Sequence, residues 1–196
     1  MDIGLIAMSG KPVTFGHWAM ITSASKENDK VIVFVSTSDR TRKGEISILG
    51  SDMKLIWDKH LSRILPKNVT VEFGGIPVRK VYETIGTAET DGSEDVFSVY
   101  ADKTDISNYA NLQKYAPNLM KNNQIQFRSS EREIAGGESI SGTRMRNWLA
   151  LGKKKNFIEY LPKELSDDSK NDIWMILSKK MNESLMRTFI KQILNF

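Results

Sequence analysis

Two stretches carry residue types and spacings that could do phosphate chemistry. The first is Ser9-Gly10-Lys11-Pro12-Val13-Thr14-Phe15-Gly16-His17, which follows an apolar run and leads into an apolar helical pattern. A glycine at position 10 lets the backbone come close to a ligand. A helix opening near Phe15 presents first-turn amides that have no acceptor within the helix. Such a terminus attracts phosphate through its partial positive charge. His17, in the first turn, can aim a ring nitrogen at the same spot, and Gly16 leaves that face uncovered. The second stretch is Ile140-Ser141-Gly142-Thr143-Arg144-Met145-Arg146. Its hydroxyls stand at a helix start, with arginines just beyond, so amides and hydroxyls can bind one phosphate while Arg144 or Arg146 neutralises another. In-line displacement at phosphorus needs mainly positioning and positive charge, and no nucleophilic side chain. The blander reading makes His17 a packing residue and Ser141 and Thr143 helix caps; capping and phosphate binding are compatible.

These stretches need elements to position them. The run from Asp2 to Met8 reads as a strand buried on both faces, followed by a helix from Phe15 to Lys26 with Thr14 as N-cap, then a strand from Val31 to Ser36. Strand, helix, strand at this length is a βαβ unit with a right-handed crossover. The pattern continues with a helix from Ser51 to Leu65 capped by Ser51, and a strand from Val69 to Gly74. A helix over 78–87, a strand DVFSVYA with Asp102 at its carboxyl end, a helix near 109–115 and a strand over 124–128 follow. Ser141 or Gly142 opens the next helix, and beyond Asn156 the pattern is helical only, over 171–181 and 183–194. The fold expected is α/β: a doubly wound, Rossmann-like parallel sheet of about five strands in residues 1–152, with a C-terminal helical extension over 153–196. In such sheets ligands bind at the carboxyl ends of strands, where both stretches fall.

Composition narrows the chemistry. The chain of 196 residues has no cysteine, which removes thiolate zinc sites, disulfides and cysteine nucleophiles, and fits a reducing cytoplasm. No signal peptide or membrane span is expected. A net charge of +4 points to anionic partners without separating phosphorylated small molecules from nucleic acid. The spacing of GLIAMSGK does not match a P-loop, and Pro12 stands where a hydroxyl would hold magnesium; the dinucleotide fingerprint is absent too. Arg40, Arg42 and Lys43 lie in a polar loop, either a disordered segment or a contact to a second substrate. His60 reads as structural or solvated, Lys153 to Lys155 as a solvated helix end, and Trp18, Trp57, Trp148 and Trp174 as core residues.

Thr14-x-Gly16-His17 after a first buried strand, paired with Ile140-Ser141-Gly142-Thr143-x-x-Arg146, resembles the nucleotidyltransferase superfamily with its [His/Thr]-x-Gly-His and Ile-Ser-x-[Ser/Thr]-x-x-[Arg/Lys] motifs. That superfamily includes nicotinamide mononucleotide and phosphopantetheine adenylyltransferases and the cytidylyltransferases. The Thr form is most similar to the phosphopantetheine enzyme, and the wording of the second motif to cytidylyltransferase-like proteins of bacteriophages. The resemblance implies that His17 and Thr14 contact the reacting phosphates, and that Ser9, Gly10, Lys11 and Gly16 line the nucleotide. It further implies that Asp102 contacts ribose or base, that Ser141, Thr143 and Arg146 hold the β- and γ-phosphates, and that Gly142 and Arg144 belong to the same nucleotide-binding stretch. The implied reaction transfers AMP from ATP to a phosphorylated small-molecule acceptor, with release of pyrophosphate. CTP as donor, or a non-catalytic protein that binds nucleotide or nucleic acid, is the alternative. Magnesium would arrive with the triphosphate, bridging phosphates through water without a protein metal site. The implied location is the cytoplasm, the host's if the chain is phage-encoded. Nucleic acid ranks below the small molecule as partner, and the helical extension leaves a homo-oligomer open. One departure stands out: where relatives read Gly-x-Phe-[Asp/Asn]-Pro, this chain has Met8, Ser9, Gly10, Lys11 and Pro12.

Overall fold

The computed structural model describes residues 1–42, 45–130, 134–135, 138–139 and 141–179. Lys43, Ile140 and the helix expected over 183–194 lie outside the described residues, as does the end of that expected over 171–181. The chain divides into two compact units that interleave along the sequence: Met1–Gly10, Gly16–Thr37 and Leu65–Ser139 form the first, and Lys11–Phe15, Ser38–Ile64 and Ile140–Phe196 the second.

The first unit holds a five-stranded sheet built from β1 (Asp2–Met8), β2 (Lys30–Val35), β3 (Val69–Phe73), β4 (Val96–Asp102) and β5 (Ile125–Ser130). Every pairing in it is parallel, and the spatial order is β3-β2-β1-β4-β5. This is the doubly wound arrangement expected. The order reverses between β1 and β4, so their carboxyl ends flank the topological switch point. Ile3 and Leu5 of β1, Ile32 and Phe34 of β2 and Phe97 and Val99 of β4 are buried in one cluster with Val81 and Ile85 of α3 (Pro77–Asp91) and Leu119 of α5 (Pro117–Lys121).

The opposite face meets the end of α1 (Phe15–Glu27). There Asn28 donates from Nδ2 to the carbonyl of Ala24 and to the hydroxyl of Tyr100, both at 2.8 Å, and that hydroxyl donates to Glu27. Gly4 makes room for this: a Cβ on it would stand 3.1 Å from Asn28 Nδ2 and from a Val31 methyl. Burial, with Glu27 beside it, pushes the Tyr100 phenol up to about 12, so it stays a neutral donor.

The second unit contains α2 (Gly50–Ile56), α6 (Gly142–Ala150), α7 (Lys154–Glu159) and α8 (residues 167–179). The single helix expected from Ser51 to Leu65 is corrected. It opens at Gly50, whose N–H donates to Asp39 Oδ1 at 2.8 Å, so Asp39 does the capping assigned to Ser51. After Ile56 it widens to a π-helical turn over Trp57–Leu61 and tightens to a 3-10 turn over Ser62–Ile64. Ser62 donates its N–H and its hydroxyl to the Trp57 carbonyl. His60 lies 2.8 Å from Asp172 through Nε2 and is 11% exposed, which is the structural reading of that residue. The one helix expected near 109–115 is three short pieces: a 3-10 turn (Ile106–Tyr109), α4 (Leu112–Tyr115) and α5. Pro117 forces Ala116 out of helical geometry, to φ −140 and ψ 64, and so separates the last two. Ser36 and Gly74 lie just past their strands, and β4 runs one residue further than expected, to Asp102.

Replacing Asn28 by alanine removes both buried donors and leaves the Ala24 carbonyl and Tyr100 oxygen short of a partner. The expected loss is about 1 to 3 kcal/mol of unfolding free energy, read by urea denaturation. A loss near zero would show that the network contributes nothing.

Candidate functional site

Parallel pairing brings the carboxyl ends of β1 and β4 to one edge of the sheet: their register runs from Asp2–Val96 to Ile6–Tyr100, and Met8 and Asp102 each lie two residues past the last pair. Ser9, exposed, and Gly10, buried at φ 54, leave β1 there. Only glycine holds that left-handed conformation without strain, as expected for the turn. Asp102 is already engaged locally, because its Oδ1 accepts from the N–H of Thr104 at 3.0 Å and from its hydroxyl at 2.8 Å. Gly16 and His17 lie half-buried in the first turn of α1. The first-turn amides were expected to be unpaired; at Phe15 this is corrected, because its N–H donates to the Tyr160 carbonyl at 2.9 Å.

In the second unit the remaining motif residues converge. Ser141 is the N-cap of α6, its hydroxyl accepting from the Arg144 N–H at 3.3 Å. Arg146, one turn on, is 3% exposed. Each of its nitrogens has a partner: Nη1 donates to the Lys11 carbonyl and Nη2 to the Thr143 hydroxyl, both at 2.8 Å. Nε donates to Glu45 at 2.8 Å. The loop of the first motif is therefore tied to the helix of the second by one guanidinium. Gly142 permits the approach: a Cβ there would stand 3.1 Å from Arg146 Nη1 and 3.5 Å from the Lys11 carbonyl.

The electrostatics follow from burial and proximity. Desolvation lowers the Arg146 pKa, against the hydrogen bond to Glu45 that raises it. That same bond holds the Glu45 carboxyl below its usual range, with help from Arg40. Lys11 and Thr14 are buried, at 4% and 2% exposed. Burial lowers the Lys11 ammonium, so the cation expected beside a triphosphate is not a solvent-facing one. Arg144 places its guanidinium 5.5 Å from the centre of the Trp148 ring, which stacks on Tyr160. Trp148 is half-buried, whereas Trp18, Trp57 and Trp174 are buried as expected. Lys153 to Lys155 are exposed.

Sequence reasoning missed Glu45 and Asp39. Both are acidic residues within a basic loop, and that contrast was the available signal. The loop is not a structureless one: Arg40 and Ile48 exchange backbone hydrogen bonds as an antiparallel bridge. The Tyr160 carbonyl left no signal, since any residue could supply it. A groove of about 780 Å³ along α3, lined among others by Tyr82, Gly86 and Tyr115, contains none of the motif residues. Among the described residues no group of three His, Asp or Glu is placed to hold a metal, and no helix is long and apolar enough to cross a membrane.

No family model matches the sequence, and neither does any curated protein. Solved structures do match in fold. A candidate nicotinate-nucleotide adenylyltransferase from Vibrio parahaemolyticus aligns with a TM-score of 0.56 at 15% identity, over 88% of this chain and 97% of its own. A bifunctional NMN adenylyltransferase/ADP ribose pyrophosphatase from Francisella tularensis, in complex with AMP and a manganese ion, aligns at 0.56 and 12% identity over 97% of this chain. TmcAL from Thermotoga maritima, bound to alpha-thio ATP, aligns at 0.53 and 14% identity over 93% of this chain. This chain spans 56% of the length of each of these last two. The chain thus shares with these structures the Rossmann-like fold expected from its alternation of strand and helix patterns.

Removing the guanidinium with Arg146→Ala deprives the Lys11 carbonyl and Thr143 hydroxyl of their donor. The expected cost is at least about 2 kcal/mol of stability, with Arg146→Lys recovering only part because an ammonium cannot span acceptors fixed by a planar fork. Urea unfolding of both variants checks this; wild-type stability in Arg146→Ala would mean the tie is dispensable.

Proposed function

We propose that the protein is a nucleotidyltransferase of the superfamily whose two motifs it resembles. The observation that supports this best is the bond from Arg146 to the Lys11 carbonyl, which joins the loop of the first motif to the helix of the second. The two stretches lie 135 residues apart in sequence, and a polyphosphate site needs such a basic, glycine-containing junction. The shared fold with solved adenylyltransferases supports the same reading.

In the reaction, an oxygen of the acceptor's phosphate attacks the α-phosphorus of a nucleoside triphosphate. The bond from the α-phosphorus to the bridging oxygen breaks in line, and pyrophosphate leaves with the electron pair. His17 donates to the phosphate oxygens as charge builds on them, and Thr14 works beside it. Ser141, Thr143, Arg144 and Arg146 hold the departing β- and γ-phosphates; Ser9, Gly10, Lys11 and Gly16 shape the loop around the nucleotide, with Asp102 toward ribose or base. These residues are mostly cationic or neutral donors, a set that fits a triphosphate that would bring its own magnesium, which would supply further positive charge at the phosphates. The donor is ATP, in keeping with the Thr-x-Gly-His form, and the acceptor is a phosphorylated small molecule in the cytoplasm.

The test is pyrophosphate release with magnesium and each of ATP, CTP, GTP and UTP against a pool of phosphorylated metabolites. Release with ATP is expected, and His17→Ala should lower kcat by about 10²- to 10³-fold while leaving thermal stability unchanged. Release with CTP alone would change the donor; nucleotide binding without release would make the protein a binder.

A further inference from the structure

We propose that Glu45 sits where a phosphate belongs: Arg40 and Arg146 hold its carboxylate as an internal stand-in that the terminal phosphates of a nucleoside triphosphate displace. The inference rests on the polyphosphate site of the proposed function and deepens it. Both arginines point Nε at one atom, Glu45 Oε2, Arg146 from 2.8 Å and Arg40 from 3.3 Å. One oxygen between two guanidiniums marks a seat for an anion, and arginines bind phosphate and carboxylate by the same charge-assisted hydrogen bonds. A phosphate group brings about three acceptor oxygens and a charge near −2 to that seat, against the carboxylate's two oxygens and single charge.

Exposure shows which partner can leave. The Arg146 side chain is 4% exposed, while those of Glu45 and Arg40 are 19% and 21% exposed. Glu45 is thus the outer partner, able to move into water, and Arg146 the fixed one. The bonds from Arg146 to the Lys11 carbonyl and Thr143 do not involve Glu45, so the guanidinium keeps its position when the carboxylate departs. Arg40 and Arg42 both oppose the charge on Arg146, leaving the cluster with more positive charge than one carboxylate offsets. A singly charged anion gains little by replacing Glu45, whereas a pyrophosphate group gains charge and acceptors together. Glu45 therefore acts as a filter that favours polyphosphates and lowers their apparent affinity by the fraction of time it holds the seat.

The probe is inorganic pyrophosphate, titrated calorimetrically into the full chain. Glu45→Gln keeps the shape and removes the charge, and it should bind pyrophosphate about tenfold more tightly than wild type; Arg40→Ala should bind it more weakly. Equal or weaker binding by a folded Glu45→Gln overturns the proposal. Should that variant fail to fold, a glutamate-specific protease reads the wild type: cleavage after Glu45 should accelerate with saturating pyrophosphate, and unchanged or slower cleavage overturns it. Tighter pyrophosphate binding by Glu45→Gln with no nucleotide-dependent release in either protein would sink the proposed reaction and leave this site standing. Turnover with unchanged pyrophosphate affinity would do the reverse.

Discussion

Arg146 imposes the constraint on which the second unit depends. A guanidinium taken almost wholly out of water costs several kcal/mol unless its donors are met, and here the acceptors come from three separate stretches. Lys11 offers a main-chain carbonyl, Thr143 a hydroxyl and Glu45 a carboxylate. Lys11 and Glu45 lie 135 and 101 residues from the arginine in sequence, so the charge is satisfied only once these distant segments have come together. Gly142, by lacking a side chain, is the local condition for that approach.

The first unit solves a different problem. Its five parallel strands leave no strand end idle at the switch point, where β1 hands over to the Ser9-Gly10 turn and β4 ends on Asp102. The opposite end of the same strand carries Gly4, whose missing side chain admits Asn28 and through it the buried Tyr100 hydroxyl. A glycine near each end of β1 thus lets a polar group come close to the sheet at one end and a left-handed turn leave it at the other.

Much of this was legible in the sequence, and for identifiable reasons. β1 and β2 are continuous apolar runs of a length that only strands buried on both faces need, and they appear within a residue of where periodicity puts them. The parallel sheet, and the placement of Asp102 at a strand end, followed from the alternation of strand and helix patterns. What stayed hidden was tertiary. Asp39 capping α2 in place of Ser51 depends on a loop returning to the helix start, which local preference cannot report. The burial of Arg146 is decided by Lys11 and Glu45, neither of which its own neighbourhood in the sequence announces. The break at Ala116 was legible in principle from Pro117, and the loop from Ser38 to Ser47 stayed open between a disordered segment and a substrate contact because charge composition carries no information about the Arg40–Ile48 bridge.

The π-helical turn over Trp57–Leu61 has a further meaning for comparing this chain with others of its fold. In a regular α-helix one extra residue would rotate everything after it by about 100°, whereas such a turn takes the extra residue into its wider ring. Taking one residue out between positions 57 and 61 would therefore restore α-helical geometry and leave the flanking residues in phase, changing mainly which side chain stands where His60 meets Asp172. A single-position gap in an alignment at this point would mark that absorbed residue, and aligned residues on its far side would still share a direction.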